Sequence, residues 1–204
     1  MPTSSIKPKA KTVTSKTAGK TASSPRRTAP AGDAITLLKA DHAEVKKLYR
    51  RYEKLAQAQA DADSRGALAM QICHALTAHA TAEEELFYPA AREALSEQDR
   101  LDHADVEHAS AKDLIAQIEG MHADDSHFDA KVMVLCEYVV HHVKEEEGAL
   151  FPACRRSRKM ALKPLGVAIA ARKAEVLSEL GAEGTASSAR SRPAPQAQAS
   201  AAAR

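Results

Sequence analysis

The sequence predicts an all-α protein: an up-down-up-down four-helix bundle followed by a shorter C-terminal helix, with disordered tails at both ends. Three observations carry this. Ala, Leu, Glu and Lys, the strong helix formers, dominate the 204 residues, while aromatic residues make up only 3% and Trp is absent. Apolar residues recur at steps of three and four along four long segments. The connections between those segments are short, so that neighbours run antiparallel.

The tails separate from the body by composition. Residues 1–32 hold seven basic residues, Lys7, Lys9, Lys11, Lys16, Lys20, Arg26 and Arg27, and no acid. They are otherwise Thr, Ser, Ala and Pro, with too little to bury to offset their ordering entropy. Residues 182–204 are Ala-, Ser-, Arg-, Pro- and Gln-rich and are expected to be disordered for the same reason. Residues 33–181 are acidic, with 19 basic against 26 acidic residues. The domains expected are therefore a basic tail (1–32), a four-helix bundle (33–157), a C-terminal helix (158–181) and a second tail (182–204).

The first helix is expected from about Asp33, its N-cap, to Gln57. The second runs from about Asp63 to Leu95. The third starts near Ser96 as N-cap, with Glu97 and Asp99 in an acidic first turn, and ends at Gly120. The fourth runs from Ser126 as N-cap to Arg156. The last covers about Leu162 to Leu180 and stops at Gly181.

Followed at helical spacing, the four core stripes read Ile35, Leu38, His42, Val45, Tyr49, Tyr52; then Ile72, Leu76, His79, Glu83, Leu86, Ala90; then Leu101, Ala104, His108, Ala111, Ile115, Ile118; then Phe128, Val132, Leu135, Val139, His142, Glu146, Ala149. Six positions break the apolar pattern: His42, His79, Glu83, His108, His142 and Glu146. A buried polar group without a partner costs a few kcal/mol, and a lone carboxylate more. A cation among them removes that cost. Imidazole nitrogen with carboxylate oxygen suits iron, manganese or zinc. A His and a Glu four residues apart share one helix face, so each pair can reach one ion or two adjacent ions.

The ligand-type residues repeat. Asp41-His42-Ala43 is followed by Lys46 and Leu48, and Glu107-His108-Ala109 by Lys112 and Leu114 at the same offsets. His79 is followed by Glu83, Glu84 and Tyr88-Pro89-Ala90; His142 is followed by Glu146, Glu147 and Phe151-Pro152-Ala153. Two helix pairs about a pseudo-twofold axis would thus offer His, His and Glu each to a shared centre. His74, His103, His122, His127 and His141 fall outside this repeat. Asp41 and Glu107 point about 100° from the adjacent histidine on their own helix and read as solvent-facing or as supports of the ligands. Glu84 and Glu147 read as supporting or surface groups, with a one-residue shift of the ligand assignment left open. Tyr49, Tyr52, Tyr88 and Phe151 read as core filler, Tyr49 with an optional supporting role near His42.

With these residues in view, the sequence resembles the hemerythrin-like HHE cation-binding family over about residues 34–156. The carriers are Asp41-His42, His79-x-x-x-Glu83-Glu-Glu-Leu-Phe-Tyr-Pro89, Glu107-His108, and His141-His142-Val-Lys-Glu-Glu146-Glu-Gly-Ala-Leu-Phe-Pro152. The resemblance implies a non-haem iron site, commonly two irons with bridging carboxylates, in proteins that bind or sense oxygen, answer nitric oxide or redox stress, or handle iron. One departure stands out. Oxygen-carrying members place two histidines four apart on the third helix; here His103 and His108 are five apart and position 104 is Ala. The terminal Asp of the last helix is replaced by Glu. These differences favour about six protein ligands with an open position for a small ligand such as O2 or NO.

Other classes are disfavoured. Neither a membrane-spanning apolar run nor a secretory h-region is present. Cys73, Cys136 and Cys154 form no CxxC pair and suit a reducing cytoplasm. No nucleophile-base-orienter set is present, so a metal and small-ligand binding protein is favoured over a turnover enzyme. An oxidoreductase consuming peroxide or NO at the same centre is the alternative. Residues 1–32 also admit electrostatic docking to nucleic acid, though they interleave no aromatic residues for stacking on bases.

Overall fold

The computed structural model describes residues 32–96 and 98–190, with side chains described to residue 182. Residues 1–31, with the seven basic residues, and 191–204 lie outside the described residues, whereas residues 182–190, expected to be disordered, belong to the last helix. Seven α-helices follow in order: α1 (Ala34–Gln57), α2 (Ala62–Ala82), α3 (Tyr88–Ala94), α4 (Asp99–Glu119), α5 (Phe128–Glu145), α6 (Phe151–Arg156) and α7 (Leu162–Arg190). A π-helical turn, Glu83–Phe87, joins α2 to α3 without a break, and a second, Glu146–Leu150, joins α5 to α6. The second and fourth expected helices are thus each one continuous rod with a wide turn inside. The four rods form the bundle, and α7 packs outside it against α1 and α2.

Local chemistry sets the ends. Asp33 caps α1, its carboxylate accepting from the Thr36 amide at 2.9 Å. Asp61 caps α2 in the same way through Ser64. The other two expected caps differ. α4 begins at Asp99 rather than near Ser96, because the Gln98 side chain turns back and donates to the free carbonyls of Arg92 and Leu95 at the end of α3. Glu97 lies outside the described residues. α5 begins at Phe128 after His127, which takes a left-handed conformation (φ 71°), and not at Ser126. At the other end of the chain, α7 continues past Gly181 to Arg190, since no left-handed residue ends it there.

The π turns have a shared cause. Pro89 and Pro152 sit just beyond them, and a proline ring inside a helix clashes with the carbonyl four residues back and lacks an amide donor. The helix widens, and the amides of Tyr88 and Phe151 reach five residues back to the carbonyls of Glu83 and Glu146. Each widening adds one residue to the turn and rotates everything beyond it by about 100°. Leu86, Ala90 and Ala149, expected in the core, are only half buried; Phe87, Tyr88, Ala91, Leu150, Phe151 and Cys154 take their places inside.

Two apolar slabs result. One, at the α1–α2 and α4–α5 loop end, is built from Val45, Leu48, Tyr52, Ile72, Leu76, Ile115, Phe128 and Leu135. The other, at the opposite end, contains Ile35, Leu38, Phe87, Leu101, Leu150, Phe151 and Ile169. Tyr49 packs at the edge of the first. Ion pairs pin the ends: Arg65 and the Tyr52 hydroxyl both donate to Asp129, at 2.8 and 2.6 Å, and Arg155 donates to Asp33.

α7 joins the second slab through Ile169, and Gly166 lets it approach the start of α1. A Cβ at Gly166 would fall on the Gly32 carbonyl oxygen and lie 2.8 Å from the Ala34 amide nitrogen. Both are backbone atoms that cannot swing aside. Gly166→Ala is expected to push α7 outward and to cost about 1–3 kcal/mol, read as a lower midpoint of chemical denaturation; an unchanged midpoint would show that α7 docks too loosely to matter.

Candidate metal centre

Between the two slabs lies a polar layer. The only buried polar or charged side chains among the described residues are His42, His79, Glu83, His108, His142 and Glu146. All six are brought together, one or two from each rod. His42 comes from α1 and His108 from α4. His79 and Glu83 lie one turn apart at the α2–π junction, and His142 and Glu146 stand alike where α5 meets the second π turn.

The contacts follow the twofold of the repeat. His42 and His79 face each other with their Nε2 atoms 3.2 Å apart; His108 and His142 do so at 3.1 Å. Each glutamate lies between a histidine of its own helix and one of the other half. Glu83 Oε2 is 3.0 Å from His79 Nε2 and 3.6 Å from His108 Nε2. Glu146 Oε2 is 3.2 Å from His42 Nε2 and 3.5 Å from His142 Nε2. Two groups that could each hold a metal ion overlap here: His42, His79, Glu83, Glu146, and Glu83, His108, His142.

The outward Nδ1 of every one of these imidazoles meets a carboxylate. His42 meets Glu147 at 3.0 Å, His79 meets Asp41 at 3.4 Å, His108 meets Glu84 at 3.0 Å and His142 meets Glu107 at 2.7 Å. These four acids are the ones flanking the six in sequence. Asp41 and Glu107 do point away from the histidines beside them, but in the bundle that direction leads to the histidine of the next helix. Three of the four are held by lysines: Asp41 by Lys173 of α7, Glu84 by Lys112, and Glu147 by Lys39 (3.4 Å) and Lys46 (3.8 Å). The matching places of Lys46 and Lys112 in the repeat thus have a physical reason. The His108 hydrogen bond, with Lys112, holds Glu84 below the usual carboxylate range. Burial works to raise Asp41 and Glu147, yet hydrogen bonds from His79 and from His42 and their lysines hold both low.

The consequence is electronic. An ionised carboxylate only accepts, so each Nδ1 carries the hydrogen and each Nε2 of a neutral ring presents a lone pair inward. Four such lone pairs and the glutamate oxygens converge in one dry space. Glu83 Oε1 and Glu146 Oε2 are buried and accept no hydrogen bond of adequate geometry. An excess of acceptors without donors is the arrangement a cation satisfies, so the residues fit a metal. Without one, protons are drawn in. Burial lowers the pKa of both His79 and His142, but Glu83 and Asp41 raise the first to about 10, and Glu146 with Glu107 raises the second to about 9. Burial likewise opposes ionisation of Glu146, and its bonds to His142 and His42 prevail and lower it.

Tyr88 is the residue the sequence analysis underrated. Its hydroxyl reaches the layer at 3.0 Å from Glu146, 3.4 Å from Glu83 and 3.1 Å from His108 Nε2. The register shift at the first π turn puts it there. Its counterpart in the other half, Phe151, stacks on His42 instead. Of the histidines outside the repeat, His141 is exposed beside Glu107 and Glu145.

Folded pKa values above the unfolded imidazole value mean stability that is fully present below about pH 6.5 and is lost as pH rises through about 9 and about 10. Thermal unfolding of metal-free protein should therefore show Tm falling between pH 7 and 10, and a bound cation should flatten that fall. A Tm that holds or rises across this window in metal-free protein would contradict the charge balance described.

Comparison with known proteins agrees with this geometry. Over residues 33–154 the chain matches the family model of the hemerythrin HHE cation binding domain. A DNA nickase from Nostoc sp. is 39% identical over 87 residues, 43% of this chain and 24% of that protein, so the match spans about a quarter of the relative's length. A hemerythrin HHE cation binding domain-containing protein from Mycobacterium kansasii has the same fold, with a TM-score of 0.58 at 22% identity over 72% of this chain and 89% of its own. With a buried layer of histidines and glutamates whose donor set fits a cation, and the family match covering more than half of its length, the chain belongs to the hemerythrin HHE cation-binding domain family.

Proposed function

We propose that His42, His79, Glu83, His108, His142 and Glu146 hold a non-haem centre of two irons, and that the protein uses it to bind, sense or detoxify O2 or NO, or to handle iron under redox stress. The observation that carries this is the pair of buried glutamates, each lying between a histidine of one half and a histidine of the other. A carboxylate so placed can bridge two cations, and two of them can share out the charge of both. The nitrogen and oxygen donor set suits iron. Six protein donors for two ions leave positions for a small ligand, and an apolar pocket lined by Val45, Leu76, Ile115 and Val139 adjoins the histidines. Bound iron would supply the reversible electron exchange that O2 and NO chemistry needs. The chain's own contribution is to exclude water, fix four imidazoles through Asp41, Glu84, Glu107 and Glu147, and offer the Tyr88 hydroxyl as a proton donor. Three buried thiols, Cys73, Cys136 and Cys154, fit a cytoplasmic setting. Among the described residues no helix is long and apolar enough to cross a membrane.

Tyr88 favours a second reading, an oxidoreductase that consumes peroxide or NO at the same centre. One preparation decides between binding and turnover. Protein from iron-supplemented growth should carry about two irons per chain, with visible absorbance that changes on adding azide or NO, and His79→Ala should lose most of both. Absence of iron in the wild type would overturn the metal reading. If peroxide or NO is consumed catalytically and Tyr88→Phe slows this by roughly tenfold or more while keeping its iron, the enzyme reading stands; stoichiometric binding alone leaves the first.

The likeness to a DNA nickase and the basic residues 7–27 support a nucleic-acid partner as a third reading. Binding to duplex DNA should then weaken steeply with salt and disappear on deletion of residues 1–32. Equal binding by full-length and shortened chains would remove it.

A further inference from the structure

The two halves of the bundle differ on their outer faces. On α2 the residues that precede His79 and Glu83 by one are Ala78 and Ala82, both fully buried, and α7 packs on that helix. On α5 the equivalent places hold His141 and Glu145, and no helix among the described residues covers them: His141 is 66% and Glu145 50% exposed in their side chains. Asp41, on His79, is neutralised by Lys173 of α7. Its counterpart Glu107, on His142, has no lysine among its described partners and has His141 instead.

We propose that His141, Glu145 and Glu107 form an outer divalent-cation site that feeds the buried centre, an inference that rests on the metal reading given above. His141 Nε2 lies 3.4 Å from Glu145 Oε1 and 3.8 Å from Glu107 Oε1, and three ligand atoms of the trio fall within 4.8 Å of one another. One imidazole and two carboxylates suit Fe2+, Mn2+ or Zn2+, with water completing the shell. A histidine and a glutamate one turn apart are common on helix surfaces and would carry nothing alone. Two further observations set this pair apart. Glu107 and Glu145 line a cleft whose other walls are Arg100, Ala104, His142, Glu146 and Leu150. At its inner end stands Glu146, whose buried Oε2 lies between His42 and His142 Nε2 without a hydrogen bond of adequate geometry. The cleft therefore runs from the two carboxylates of the trio, Glu107 and Glu145, to Glu146 of the inner layer, and three carboxylates along it outweigh the single guanidinium of Arg100.

Glu107 couples the two places. Its Oε1 faces His141 while its Oε2 accepts from His142 Nδ1 at 2.7 Å. A cation captured outside draws on the same carboxylate that orients an inner imidazole. On the α7-covered half, Lys173 pairs with Asp41 in the corresponding position, so no second trio of this kind forms there among the described residues.

The test uses metal-free full-length protein at pH 7.5. Equilibrium dialysis against Zn2+ should show His141→Ala/Glu145→Gln binding one cation fewer than wild type, and Glu145→Gln alone should weaken the same cation. Under anaerobic conditions, uptake of Fe2+ followed by stopped flow should slow by roughly tenfold in the double variant while the final inner content is unchanged. Equal Zn2+ stoichiometry in variant and wild type overturns the site. Loss of one Zn2+ with an unaltered Fe2+ uptake rate overturns the route. A His79→Ala/His108→Ala protein separates this inference from the inner centre: it should still bind the outer Zn2+, and if wild type shows only the cation that His141→Ala/Glu145→Gln removes, the inner reading fails and the outer site alone stands.

Discussion

The bundle is organised by the enforced convergence of acceptors at its middle. Apolar slabs above and below exclude water from a layer of four imidazoles and two carboxylates. In such a setting an unpaired acceptor is costly, because neither solvent nor a neighbouring donor offsets the loss of hydration. Helix length, the positions of the apolar stripes and the antiparallel order all serve to keep that layer dry and closed. A positive charge in the middle is what makes the arrangement affordable, and the four outer carboxylates deepen the requirement by fixing the tautomer that turns each lone pair inward.

The support of the layer alternates between halves. Asp41 and Glu107 hold a histidine of their own half, while Glu84 and Glu147 reach across to a histidine of the other. No helix can therefore rotate or slide without loosening an imidazole on its neighbour. The lysines behind these acids extend the coupling to the surface, and through Lys173 to α7. This gives α7 a part in the site although it contributes none of the six convergent side chains.

The π turns do a different job. Each begins at the buried glutamate of a His–Glu pair and ends before a proline, and each resets the helix register by one residue. Without them Leu86 and Ala149 would face the interior. With them Tyr88 and Phe151 do, and the bulky ring beside each glutamate closes the layer from below. The single difference between these otherwise matched places, a hydroxyl, breaks the symmetry of the centre.

The sequence alone determined the helical class, the antiparallel bundle and the six buried polar residues, since an apolar stripe interrupted by His and Glu at helical spacing is a local pattern that needs no partner to be read. The doubled motif likewise announced the twofold. What only the tertiary structure decided depends on neighbours. Whether Asp41 or Glu107 is idle or holds a buried histidine turns on which helix lies beside it, and an angle measured around one helix axis cannot supply that. The inward turn of Tyr88 required the π register, which a constant period of 3.6 residues misses. Ser96 and Ser126 looked like caps because they had the right side chain, but the Gln98 hydrogen bonds back to the Arg92 and Leu95 carbonyls and the left-handed backbone of His127 set those ends. The exposure of His141 and Glu145, against the burial of Ala78 and Ala82, was decided by where α7 docks, a choice between two similar faces that no single segment of the chain encodes.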